Sequence, residues 1–256
     1  MPRRNSFILV LVLMAPSASV THAQAGRGAA APQTAQQQAP IDLTGYWVSV
    51  VTEDWRYRMI TAPKGDHPGL PLSAEGNRVA NAWDPARDEA AGEQCKAFGA
   101  AGVMRAPGRL HVTWESDRSL KVETEAGTQT RLFVFGAAPA APGAATWQGT
   151  SVAQWEAAGG GRRGRGGAPR GGSLKVVTTH MRPGYLQKNG VPYGENAVLT
   201  EYWSRATEPN GDSWLIVTHI VEDPQYLTQP FIRSTHFKKL PDSVFSSWTP
   251  EVCSAR

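Results

Sequence analysis

Glu201 and His219 are the residues whose types and spacing most suggest chemistry. His219 alternates with Leu215, Val217 and Val221, and Glu201 alternates with Leu199 and Trp203. In a strand such residues share one face, so both polar groups point into apolar surroundings. Asn210-Gly211 lies between the two segments and is among the stronger short-range hairpin signals. The segments are therefore antiparallel neighbours, with imidazole and carboxyl in reach of a hydrogen bond. Three roles stay open for the pair: structural, ligand-orienting, or acid/base. A carboxyl in an apolar pocket has its pKa raised, which suits the last.

A second cluster, Asp54-Trp55-Arg56-Tyr57-Arg58, mixes charge and aromatic surface. Trp55, Arg56 and Arg58 there suit a cavity mouth that recognises an anionic or aromatic ligand through guanidinium pairing and stacking. The plainer alternative is a strand with both arginines facing water over buried Trp55 and Tyr57. His180 opens a long aromatic loop that runs through Tyr185 to Tyr193; it fits a gate, a partner surface or a packed connection. His180 joins the ligand-binding candidates. His111, His180, His219 and His236 are conceivable metal ligands, but no His-x-His, His-Glu-x-x-His or Cys-x-x-Cys spacing is present, and no metal is expected. There is no Gly-x-Ser-x-Gly elbow and no Walker or Rossmann glycine pattern before a helix, so no cofactor is expected either.

The elements that position these residues are mostly strands. Asp42 to Val51 reads as the first, rich in aromatic and β-branched residues, with Trp55 to Ile60 continuing or pairing with it. Ser73 caps a short helix ending near Trp83, and Asp84-Pro85 restarts the chain, giving one or two helices near residues 73–92. Beyond them the period is two. Leu110, Val112 and Trp114 share a face, as do Leu120, Val122 and Thr124, with Lys121, Glu123 and Glu125 expected toward water. Arg131, Phe133 and Phe135 alternate with Thr130, Leu132 and Val134. Further strands are expected at Ser151–Glu156, Leu174–His180, Val198–Ser204, Trp214–Val221 and Phe231–Lys238. The total is about nine short strands with little helix, an all-β antiparallel up-and-down barrel or sandwich rather than a βαβ fold.

Arg3 and Arg4, the apolar run Phe7–Ala15 and Ala23-Gln24-Ala25 form a secretory signal over residues 1–25, cleaved after Ala23 or Ala25. No later segment reaches the roughly 18 apolar residues of a membrane helix, so no transmembrane segment is expected, and the location is periplasmic or secreted. Residues 26–40, rich in Ala, Gln, Gly and Pro, read as a disordered linker. A single domain then spans 41–256, interrupted by a disordered Gly/Arg-rich insertion at about 157–172. The formal charge of +4 rests on 26 basic and 22 acidic residues. Setting aside Arg3, Arg4 and the insertion's Arg162, Arg163, Arg165 and Arg170 leaves 20 basic residues against 22 acidic. The folded body is near neutral, and the insertion lacks the interleaved aromatics of a nucleic-acid tract, so nucleic acid is not an expected partner. Export permits a disulfide between Cys95 and Cys253, worth on the order of 4 kcal/mol through chain entropy. A reactive Cys95 or two free thiols are the alternatives.

Thr44-Gly45-Tyr46-Trp47 resembles the Gly-x-Trp signature that opens the first strand of lipocalins and related calycins, where the Trp closes one end of the barrel. More of the chain, over most of residues 42–238, resembles a group of uncharacterised secreted bacterial proteins. The matching stretches are Pro71–Gly76, Cys95 with Met104–Gly108, Trp147–Glu156 and Glu222–Pro230. Thr150 stands where a Trp-x-Gly-His-Ser pattern would place His, so no role of that His transfers. The resemblance implies a lipocalin-like β-barrel and no established activity. The expected function is binding of a small, partly apolar molecule inside the barrel. Two alternatives are a hydratase, lyase or isomerase using Glu201 and His219, and an envelope module that binds an unknown protein partner.

Overall fold

The computed structural model describes residues 33–52, 54–137, 143–157 and 171–256. The expected signal peptide, residues 26–32 of the linker and most of the Gly/Arg insertion lie outside them. Nine strands close into a barrel: β1 (Gly45–Val50), β2 (Arg109–Ser116), β3 (Ser119–Thr124), β4 (Gln129–Phe135), β5 (Thr150–Ala157), β6 (Gly172–Thr179), β7 (Val198–Thr207), β8 (Ser213–Glu222) and β9 (Phe231–Lys239). Each pairs with its neighbour in sequence, and β9 returns to β1. Eight pairs are antiparallel and one, β4 with β5, is parallel. Closure makes this unavoidable. Every antiparallel step reverses direction, and an odd ring of strands cannot return to its starting direction without a parallel pair. The Gly/Ala/Pro stretch after Phe135 supplies the long connection such a pair needs.

Alternation along the strands sets what faces inward, as the sequence predicts. The inward residues form two apolar cores. One contains Trp47, Val112, Val122, Phe133, Val176, Trp203, Val217 and Phe237. The other contains Leu199, Val221 and Phe231 at the opposite end, where elements outside the ring close over it. These are four short helices, α1 (Trp55–Arg58), α2 (Ala74–Asn81), α3 (Pro85–Ala90) and α4 (Ala100–Val103), and a hairpin of Gly184–Gln187 with Val191–Tyr193. Ser73 caps α2 through its Oγ to the Gly76 N–H, and Asp84 caps α3. The aromatic loop after His180 is thus a packed plug: Met181, Leu186, Val191 and Tyr193 are buried in the second core. Gly190 sits at φ +86° against Trp83, where a Cβ would lie 2.3 Å from the Trp83 Cβ, so no side chain fits that turn.

Three local expectations change. Trp55–Arg58 is a helical turn rather than a strand, which reverses its faces: Trp55 is 60% exposed and Arg58 only 4%. Arg58 is drawn inward because its guanidinium donates to the carbonyls of Arg105 and Val50. Glu125, expected toward water, is buried past the end of β3, where it accepts from the Arg109 guanidinium and the Thr249 N–H. Residues 33–40 fold against the barrel, with the Trp155 indole donating to the Ala35 carbonyl at 2.8 Å. Cys95 and Cys253 form a disulfide that ties the C-terminal tail down. The tail also pairs Glu251–Val252 with Ala126–Gly127. β5 and β6 pair as far as Ala157 and Gly172, the residues at the two ends of the Gly/Arg insertion. No helix among the described residues is long and apolar enough to cross a membrane.

Candidate functional site

Between the two apolar cores the barrel carries a layer of buried polar side chains. On β7, Glu201 stands between Leu199 and Trp203; on β8, His219 stands between Val221 and Val217; on β9, half-buried Arg233 and buried Thr235 follow one another between Phe231 and Phe237. Arg131 of β4, Ser151 of β5 and Thr178 of β6 complete it. Register places Glu201 opposite His219 and His219 opposite Arg233, Ser151 opposite Thr178, and Thr235 opposite Val217, one inward step from the His219–Arg233 row.

Glu201 and His219 are directly opposite in register. They do not form the expected hydrogen bond, and both nitrogens of His219 lack a hydrogen-bond partner. The carboxylate turns to Arg131, whose Nη1 and Nη2 donate to its two oxygens at 2.9 and 2.5 Å. The pair is fully buried. A guanidinium wins because its planar fork satisfies both carboxylate oxygens at once, which a neutral imidazole cannot. Arg131 Nη2 also donates to Thr178 Oγ1 at 3.3 Å, and Thr178 is linked to Ser151 at 2.8 Å. The guanidinium lies 4.8 Å above the Phe133 ring, which meets Trp203 edge-on at 5.2 Å. Sequence reasoning missed Arg131, although its alternation with Phe133 and Phe135 marked it as inward.

Several polar atoms of this interior are buried without a protein partner: Arg131 Nε, Trp203 Nε1, both nitrogens of His219, Thr235 Oγ1 and the Tyr193 hydroxyl. Buried polar groups are satisfied in the great majority of cases, so this group of unpartnered atoms sets the interior apart from an ordinary apolar core. Tyr193 belongs to the plug, its hydroxyl set against Gly99 and Gly184, where a Cβ would stand 2.2 and 2.7 Å away.

The layer has an incomplete wall. β1 ends at Val50, opposite His236, so Phe231–Thr235 of β9 have no partner on that side. α1 and the segment around Arg105 cover the gap. Asp54 binds Arg105 Nη2 at 3.0 Å and lies 3.6 Å from Arg233 Nε, and a hollow of about 20 Å³ is bordered by Arg58, Arg105, Phe98 and Leu186. That volume holds about one water. A larger hollow, about 320 Å³, lies on the outward faces of β1, β7, β8 and β9, with Val50, Ala206, Trp214, Ile216 and His236 in its lining.

Of the six predicted site residues, Glu201 and His219 are in the layer and Arg58 borders its open side. Trp55 and Arg56 are exposed on α1, with Arg56 paired to Asp66. His180 is elsewhere, its Nε2 2.6 Å from the Gly143 carbonyl oxygen. The remaining histidines are dispersed. His111 stacks on Tyr46 at 4.1 Å outside the barrel, and His236 faces the outer hollow. Among the described residues no three metal-ligating side chains converge.

Burial, reinforced by the positive field of Arg105, Arg233, Arg131 and Arg58, pushes the His219 imidazole down to about 3. The sign follows from linkage: between pH 6.5 and 3 the unfolded chain binds a proton that the folded chain refuses. Stability from this group is complete above about 6.5 and falls on acidification, by at most about 1.4 kcal/mol per pH unit. Urea denaturation of the wild type and H219L at pH 7, 6 and 5 measures this. The gap between the two should shift by about 1 kcal/mol or more per unit below pH 6, and a constant gap would show that the imidazole protonates freely.

Fold and site define a class: a closed nine-stranded β-barrel with a buried ionic and polar layer between two apolar cores. No protein-family model, curated protein or solved structure matches the chain.

Proposed function

We propose that the protein is an exported, lipocalin-like barrel that binds a small molecule at the polar layer. The observation that carries this reading is the set of orphaned buried atoms on Arg131, Trp203, His219, Thr235 and Tyr193. Each is a group that a ligand with matching polar atoms would satisfy, between apolar walls suited to the rest of the molecule. The lipocalin likeness is supported by the sequential strand order and by Trp47, which is fully buried at the start of β1 and donates its indole N–H to the Leu43 carbonyl at 2.9 Å. The disulfide favours an extracytoplasmic location. Side chains such as Trp203, Arg131 and Phe133 fill much of the barrel, so the occupant is small and reaches the layer by displacing α1 or the arginines beneath it. Binding is preferred over acid/base catalysis because both oxygens of Glu201 are engaged by Arg131, which turns the carboxylate toward the guanidinium and away from His219.

Native mass spectrometry of protein purified from its own host tests the reading. A non-covalent adduct of small mass is expected, and it should be absent from a variant in which Arg131→Met and Glu201→Leu replace the ion pair. A bare chain mass from folded wild-type protein would overturn it.

A further inference from the structure

We infer that the occupant of the polar layer is a small organic acid whose carboxylate sits among Arg131, Trp203, His219 and Thr235. The inference rests on the binding proposal above and adds the chemical class. Its first support is a count of donors against acceptors. Arg131 Nε and Trp203 Nε1 can only donate, and a neutral imidazole offers one N–H and one bare nitrogen. The hydroxyl of Thr235 can turn either way. The orphaned atoms of Arg131, Trp203, His219 and Thr235 therefore present up to four donors and a single obligatory acceptor. A complementary group must be rich in lone pairs, and a carboxylate offers about four acceptor positions on two oxygens.

The second support is the position of the guanidiniums. Arg58 and Arg105 border the hollow on the open side of the layer, and Arg233 follows on β9, its Nε 3.6 Å from Asp54. Arg233 is also directly opposite His219 in register. A molecule arriving through the missing part of the wall passes these arginines first, and Arg131 stands inside. Guanidiniums match a carboxylate by planar, paired donation, whereas an amine on the same path meets like charge. The third is geometric: Trp203 and Thr235 are both opposite Val217, one inward step from the Glu201–His219 pair, with Leu199, Val221 and Phe231 in the row on one side and Leu215 and Phe237 in the row on the other. A carboxylate with a short apolar chain or ring satisfies both zones.

The test uses matched probes on the intact disulfide-bonded protein: sodium butyrate, butyramide, n-butylamine and 1-butanol, with acetate to hexanoate as a length series and inorganic phosphate as an anion control. Binding is read from the indole N–H resonance of Trp203 and from the thermal midpoint. Butyrate should bind at least tenfold more tightly than the amide and the alcohol, with no binding of the amine. Thr235→Val removes one donor at nearly constant volume and Trp203→Phe removes another together with part of the ring, and each should weaken butyrate about tenfold or more, in keeping with a hydrogen bond to a charged group. Without ligand Thr235→Val should be as stable as wild type, since it removes an unpaired buried polar group without opening a cavity; a midpoint well below wild type for that variant would mark a structural role instead. Preference for the alcohol or amine overturns the acid assignment and leaves interior binding intact. Phosphate binding as tightly as the best carboxylate overturns the organic acid in favour of a simple anion. If no probe moves the Trp203 resonance, the layer holds water, and both this inference and the binding proposal fail.

Discussion

Glu201→Gln is expected to cost about 3–5 kcal/mol of stability, since it leaves the buried Arg131 guanidinium without a countercharge. For a domain of this size that is a fall in Tm of roughly 6–20 °C. The change keeps the volume and one acceptor, so charge rather than packing accounts for the loss. The same physics predicts the outcome of removing both partners. Desolvation of the two ions offsets most of their attraction, so Arg131→Met with Glu201→Leu should recover most of the lost stability and can exceed wild type. Urea denaturation of the single and double variants measures both. A single variant within 1 kcal/mol of wild type would mean that water reaches the guanidinium and the layer is not sealed. The double variant also separates two roles of Arg131: a stable barrel that has lost its ligand would show that the ion pair is kept for binding.

Loss of the Cys95–Cys253 disulfide is expected to be comparably large. The cysteines are 158 residues apart in sequence, and chain entropy assigns about 5 kcal/mol to a closed loop of that length. Cys95→Ser with Cys253→Ser should lower Tm by roughly 10–20 °C. Because the cross-link acts on the unfolded chain, the loss should appear in global unfolding and not only in fraying of the tail. Hydrogen exchange distinguishes the two. The Glu251 N–H, bonded to the Glu125 carbonyl, reports the tail, and the Val217 N–H inside the sheet reports the barrel. Faster exchange at Glu251 with Val217 unchanged would confine the bridge to a local clamp and contradict the entropic account.

Much of this barrel was legible from period-two alternation, because a strand with one buried face must present every second residue to it. The inward settings of Leu199, Glu201 and Trp203, of Val217 and His219, and of Arg131 with Phe133 follow from spacing alone. So does the hairpin at Asn210-Gly211, where Gly211 adopts φ +90°. Where the period changed the reading failed. Trp55–Arg58 contains aromatic residues typical of strands, yet Asp54 enters the left-handed region at φ 55° and starts a helical turn, which exchanges the buried and exposed sets.

The candidate site was half legible for a related reason. Adjacent strands joined by a tight turn have a register that the turn fixes, so Glu201 opposite His219 could be read along the chain. Arg131 is 70 residues from Glu201, and its strand is not a neighbour of β7. Their contact crosses the interior, and it exists only once nine strands have closed the ring and tilted Arg131 to the depth of Glu201. The sequence by itself determined which side chains enter the barrel and which strands are joined by hairpins, because both depend on local geometry. Closure decided the rest: the parallel pair that an odd ring requires, the carboxylate's choice of guanidinium over imidazole, and the unpaired donors around His219. These depend on distances across the interior that no local spacing encodes.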